Sequence, residues 1–326
     1  MGRLHSLRKW LQWLVVCVCV GYLVHFFFSY PEQLASIRQL RTSTLLWASL
    51  LMIVYFSVYS LRYQVLLESV VKRRLSFRYL FSLMVFSRFL NQTAPQLGNA
   101  YRGVRLRQDC GVPYTDCLAS FVAFAWLDTL FDLVVAVVLC AAAGAGSLKL
   151  GAVPVFATLA GMLGAMLLVP PLGIALVKRL PTPWPWLENR VGRVIRLGGA
   201  LLRDSSALGK FALFSLMGLV SMALVFWILF DSVGTPISAW QVSLFYALYR
   251  MTMLLMVTPG SLGVREVASG GLGEVLGVGL GASVAVTVVA RVLGLVVLAF
   301  VAMSWKLYAL ATARAPSSAA AGRRKC

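Results

Sequence analysis

The chain has 326 residues, of which 60% are apolar or aromatic and only 13% charged. That balance excludes a disordered chain, a collagen and an ordinary cytosolic enzyme. Thirty Lys and Arg against eleven Asp and Glu leave a charge of +19, which in so apolar a chain points to basic cytoplasmic loops of a membrane protein rather than to nucleic acid.

A spanning helix needs about 20 mostly apolar residues, at about 1.5 Å each, to cross a hydrocarbon layer about 30 Å thick. Six segments qualify: 11–28, 44–66, 115–142, 152–177, 208–230 and 282–310. The first follows Arg3, Arg8 and Lys9 like a signal peptide but ends in Phe26 to Pro31 without a small-x-small cleavage pattern, so it is expected to stay as a span. Between the second and third lies 79–97, interrupted by Arg88 and by Asn91-Gln92-Thr93-Ala94-Pro95. After Pro181 to Trp186, a stiff interfacial linker, 191–208 with Arg193, Arg196 and Arg203 reads as a helix lying on the cytoplasmic face. The stretch 238–257 is interrupted by Arg250 and followed by Thr258-Pro259-Gly260-Ser261-Leu262-Gly263. Gly273, Gly277 and Gly281, four apart, permit close helix contact. Residues 311–326 read as a disordered cytoplasmic tail behind a single transmembrane domain, 1–310.

Charge distribution decides between two topologies. If 79–97 and 238–257 enter and leave on one side, 22 Lys and Arg fall on cytoplasmic segments, Arg62 among them, and 3 fall outside. Both termini are then cytoplasmic, as expected of a protein of the cell (inner) membrane. If both stretches cross, the chain has eight spans and Arg102, Arg105 and Arg107 lie outside. Leu97-Gly98 and Leu262-Gly263 are 165 residues apart, and the flanking spans keep nearly the same offset. A near-constant offset over three elements signals a duplicated unit, about 10–142 and 152–310. The expected fold is therefore an all-α polytopic membrane protein: an inverted repeat of three spans plus one re-entrant broken-helix hairpin each. Broken helices in inverted halves mark the central site of many transporters, because freed backbone groups survive only beside protein or water. Two interfacial loops between ordinary helices are the alternative.

Asn91 and Pro95-Gln96-Leu97-Gly98, with Arg102, Gly111, Ala119-Ser120 and Leu130-Phe131-Asp132, resemble the first conserved region of the lysylphosphatidylglycerol synthase transmembrane family, the flippase-like proteins. Pro259-Gly260-Ser261-Leu262-Gly263-Val264-Arg265-Glu266, with Arg291 in the next span, resembles its second signature. The resemblance covers about 10–310 and implies a protein that moves or handles amphiphilic lipids: a membrane phospholipid or a polyprenyl-linked lipid. Where the family often has an acidic residue after the first motif's Gly, this chain has Asn99; where it often has Glu-Arg in the next span, this chain has Asp128-Thr129. Twenty residues follow Lys306, so the soluble aminoacyl-transfer domain of the full synthases is not expected, nor is enzyme activity.

Ionisable groups within spans cost about 2.5–3.5 kcal/mol each on insertion scales and should face a cavity or one another. Asp128 and Asp132, four apart, share a helix face; Arg291 is the expected partner, with Arg88 and Arg250 as equivalents. Arg88, Arg102, Arg250, Arg265 and Arg291 are candidates for the path of an anionic headgroup, with Pro95 and Pro259 opening half-helices above them, although Arg102, Arg105 and Arg107 also suit a position at the membrane surface. The candidate headgroup set is thus Arg88, Asn91, Pro95, Gly98, Arg102, Asp128, Asp132, Arg250, Pro259, Gly260, Gly263, Arg265, Glu266 and Arg291. Arg265-Glu266 carries most weight, against its alternative as a helix cap near the external surface. No cofactor, metal or nucleic-acid partner is expected; an accessory or enzymatic role in polyprenyl-phosphate or glycolipid biosynthesis, with a partner enzyme, is the alternative function.

Overall fold

A computed structural model of the chain describes residues 21, 28, 31–38, 40–71, 75–93, 96–142, 149–150, 153–179, 192, 204–252 and 263–314. The expected span 11–28 lies almost entirely outside these residues, as do most of 191–208 and the candidate residues Pro95, Pro259 and Gly260.

The chain is helical: α1 (Pro31–Arg38), α2 (Thr42–Val71), α3 (Phe77–Thr93), α4 (Leu97–Cys110), α5 (Tyr114–Ala142), α6 (Val155–Arg179), α7 (Ser205–Ser232), α8 (Ala239–Met251), α9 (Val264–Val275) and α10 (Leu280–Arg314). Four of these contain membrane-length apolar stretches: Thr42–Ser69, Tyr114–Ala142, Ser205–Ser232 and Leu280–Leu307. They are apolar on nearly every face, because one side packs into the bundle and the other meets lipid. Exposed Leu118, Val122, Val134 and Val138 on α5, and Val292, Val296 and Phe300 on α10, form such outer faces.

The helices outrun the expected spans. α2 continues to Val71, and Arg62, counted as cytoplasmic although it falls inside the expected span 44–66, is buried in the bundle; α10 continues to Arg314, past the expected span end at 310. Hydropathy marks where a helix leaves lipid, not where its backbone hydrogen bonds stop. Asp204 caps α7, its carboxylate accepting from the Ser206 and Ala207 N–H groups at 3.1 Å. Within the expected all-helical architecture, Lys149–Leu150 and Val153–Pro154 form a short antiparallel ladder, β1 and β2. Two residues per strand are too few for any periodicity to announce.

Each of the two interrupted stretches becomes a pair of short helices. The four members have 17, 14, 13 and 12 residues, or about 18–26 Å, less than the hydrocarbon thickness. The first pair closes through contacts readable from sequence only in part. Gln96 turns the chain in the left-handed region (φ 65°), immediately before α4. The Gly98 N–H donates to Asn91 Oδ1 and the Ser87 hydroxyl donates to the Gly98 carbonyl, both at 2.8 Å. A Cβ at residue 98 would overlap the Ser87 carbonyl, so α4 can lie on α3 only with glycine there. In the second pair α8 is opened by Ser238 and Gln241, which cap reciprocally, and the Gln241 amide donates to the Leu276 carbonyl beyond α9 at 2.9 Å. Gly270 and Gly273 press α9 on α10, where a Cβ at 273 would overlap Ser283; Gly277 and Gly279 adopt positive φ in the turn between them. The glycine spacing thus serves packing and a turn.

Packing between the elements is reciprocal. α2 and α7 lie against each other antiparallel: Arg62 meets Phe211, Tyr55 meets Gly218, and Thr44 shares a cavity with Ile228. α3 packs on α10, and α8 packs on α5.

The buried arginine cluster

Two carboxylates of α5 anchor the centre. Asp128 and Asp132, one turn apart, both face Arg250 in the last turn of α8: its Nη2 donates to Asp128 Oδ2 at 2.5 Å and its Nε lies 2.9 Å from Asp132 Oδ2. Arg62 of α2 donates to the other Asp128 oxygen. Arg62 is 1% exposed, its guanidinium stacked 5.0 Å above the Phe211 ring and 5.6 Å from Phe124. Arg88 approaches from α3, 3.8 Å over the Tyr59 ring. The Tyr55 ring lies 5.6 Å from the same guanidinium.

Each broken pair adds a second arginine near the start of its second helix. Arg102 of α4 donates to the Asn99 side-chain oxygen and touches Met84 Sδ at 3.2 Å; its guanidinium is 4.3 Å from the Phe121 ring and 5.2 Å from Tyr63. Its Nε is buried with no hydrogen-bond partner among the described residues. Arg265 of α9 lies 5.4 Å over the Tyr249 ring, and its Nε is likewise buried with no hydrogen-bond partner among the described residues. Among the described residues neither forms an ion pair.

Glu266, beside Arg265, is engaged twice. Its Oε2 accepts the Gly263 N–H at 2.7 Å, capping α9, and its Oε1 accepts from Arg291 Nη1 at 2.6 Å. Glu266 is a helix cap, as the alternative held, but at 1% exposure it is no surface group. Glu266→Gln retains an acceptor and removes the charge opposite Arg291. The expected loss is about 1–3 kcal/mol of stability, read as a lower unfolding temperature in detergent, and a larger loss is expected for Glu266→Ala.

Three expectations need correction. Arg291 does not pair with Asp128 and Asp132; it is held by Glu266, leaving the α5 carboxylates to Arg250 and Arg62. Arg102 does not lie at the surface with its neighbours: it is 7% exposed, whereas Arg105 and Arg107 are exposed and stack on Tyr101 and Tyr114. Arg62, counted among the cytoplasmic charges, is the participant that sequence reasoning missed. Tyr55, Tyr59 and Arg62 recur at helical spacing, and that polar-aromatic stripe in an otherwise apolar helix was its signal. Of the remaining candidates, Asn91, Gly98 and Gly263 build the turns that carry the arginines.

A family model for the lysylphosphatidylglycerol synthase TM region matches residues 10–302. The chain belongs to this family. It is accordingly a multi-pass membrane protein of the lysylphosphatidylglycerol synthase transmembrane family, a family linked to lipid metabolism. No curated protein matches it. Against the pattern of that family, Asn99 acquires a physical meaning. An acid at 99, one turn before Arg102, would pair with it; the amide offers one neutral acceptor and leaves the guanidinium's charge uncompensated.

Proposed function

We propose that this protein translocates or binds an anionic lipid, or a lipid-linked sugar phosphate, through an arginine-lined central path. The observation that carries the reading is charge balance: six inward guanidiniums (Arg62, Arg88, Arg102, Arg250, Arg265 and Arg291) face three carboxylates (Asp128, Asp132 and Glu266). Guanidinium is always protonated, and an uncompensated charge held away from water needs a counter-ion. A phosphate headgroup supplies one and accepts two parallel N–H bonds from each planar fork. Asp128, Asp132 and Glu266 position Arg62, Arg250 and Arg291, and Arg88 stacks on Tyr55 and Tyr59; Arg102 and Arg265, which like Arg88 have no carboxylate among the described residues, are the contacts for the passenger.

An inverted repeat supports translocation rather than static binding. Antiparallel packing of α2 on α7, and the exchange by which α3 leans on α10 while α8 leans on α5, are what a two-fold axis in the membrane plane would generate. Arg102 and Arg265 are 163 residues apart and follow Gly98 and Gly263 by four and two residues. On that symmetry, with both termini in the cytoplasm, the first re-entrant pair opens inward and the second outward. One arginine would then receive the headgroup from each leaflet, and no catalytic step is required.

The test is reconstitution in liposomes with fluorescent phosphatidylglycerol and other anionic lipids. Wild type is expected to exchange the label between leaflets, with Arg102→Ala and Arg265→Ala each slower by about tenfold or more, the equivalent of one charge-assisted hydrogen bond. Arg105→Ala, at the exposed surface, is expected to match wild type. Equally slow exchange by wild type and Arg265→Ala for every anionic lipid overturns the proposal.

A further inference from the structure

A cavity of about 550 Å³ opens far from the arginine cluster, where the first turn of α2 meets the last turn of α7. Among the described residues its wall is made by Arg41, Thr44, Trp227, Ile228, Asp231 and Ser232. Its volume falls in the range of about 300–1,000 Å³ usual for small-molecule sites. Arg41 and Asp231 have no ion pair or side-chain hydrogen bond among the described residues, although they share this wall.

Each charge is also at the unfavourable end of its helix. Arg41 precedes the N-terminus of α2, where the backbone dipole is positive, and Asp231 sits in the last turn of α7, where it is negative. Helix stability would place an acid in the first position and a base in the second. Two isolated charges that weaken their own helices, share a cavity and leave one another unpaired suit an outside ligand that carries both signs.

Depth identifies the ligand. The apolar stretches of α2 and α7 begin at Thr42 and end at Ser232, so the cavity lies at headgroup level, with Trp227 at the wall as an interfacial aromatic. We propose that this cavity is a binding site for a net-neutral aminophospholipid, with its phosphate on Arg41 and its primary ammonium between Asp231 and the Trp227 ring. A guanidinium suits the phosphodiester, and a carboxylate beside an indole face suits an ammonium ion. The site uses none of the central arginines, and its ligand differs from theirs in carrying no net charge.

Native mass spectrometry of the full chain in detergent tests this, with dioleoyl phosphatidylethanolamine, phosphatidylcholine and phosphatidylglycerol added separately. Wild type is expected to retain the ethanolamine lipid about tenfold better than the other two. Asp231→Asn is expected to abolish that preference while leaving residual binding, and Arg41→Ala to weaken retention of the ethanolamine and choline lipids alike. Millimolar glycerophosphoethanolamine, which has the headgroup without chains, is expected not to displace the lipid; displacement would make the site one for a soluble phosphoamine and overturn the lipid assignment. No preference in wild type, or an undiminished preference in Asp231→Asn, overturns the proposal. Both variants alter exposed side chains, and an unchanged unfolding temperature verifies that the fold is retained.

Discussion

Replacing Asp128 by alanine is expected to destabilise the protein by about 3–5 kcal/mol, the largest effect of any single side chain in the cluster. Its carboxylate accepts from Arg62 on one oxygen and Arg250 on the other, and so ties α2 and α8 to α5. Arg62, 1% exposed and left with two ring faces, would lose its only carboxylate among the described residues. Arg250 would keep Asp132, so Asp132→Ala, which leaves both arginines a partner, is expected to be milder. Thermal unfolding in detergent checks the order. A triple variant, Arg62→Met, Asp128→Leu and Arg250→Met, is expected to recover much of the lost stability, because burying apolar groups avoids the desolvation of charges. It would also remove one acid and two bases from the centre and so separate holding the bundle together from handling a lipid.

Gly98→Ala is expected to cost about 3 kcal/mol or more, with loss of the closed α3–α4 pair. Within an ordinary helix the same exchange stabilises by up to about 1 kcal/mol; here the sign reverses, since the new methyl would overlap the Ser87 backbone carbonyl. No shortening of the Ser87 side chain relieves that overlap. Moving α4 away would also break the Gly98 bonds to Asn91 and Ser87. Gly103→Ala in the same helix provides the contrast: its added carbon would meet only Tyr114 Cδ1, at 3.8 Å, an ordinary contact. It is expected to be neutral or slightly stabilising. Proteolysis between the two helices, together with unfolding temperature, would distinguish the variants.

Spanning elements were legible because apolar length is a direct consequence of the bilayer: α5 and α7 lie within three residues of expectation at each end. The breaks after Thr93 and before Val264 were legible through Pro, Gly and polar runs that no continuous helix accommodates. Partner choice was not. Arg291 and Asp132 occupy suitable depths in different helices, but depth does not encode rotation about a helix axis, and Arg291 turns to Glu266. Nor does charge counting distinguish a lysine-rich loop from one arginine near the end of a long helix, which is how Arg62 escaped. Arg102, three residues from exposed Arg105, illustrates the same limit: the two lie only about 60° apart around the helix, and the boundary between its buried and exposed faces, which the sequence does not mark, falls between them.

The leaning of α3 on α10, and of α8 on α5, has a consequence for how such a molecule came into being. Each half's short helices rest on long helices of their own half and on one of the other half as well. An ancestral single unit would therefore have been soundest as a head-to-tail-opposed dimer, two copies lodged in the bilayer in contrary senses. On the proposed inverted repeat, gene fusion would have made that partnership permanent and freed the copies to diverge, so that an aspartate at 128 could stand where its proposed counterpart, 163 positions on, is an arginine.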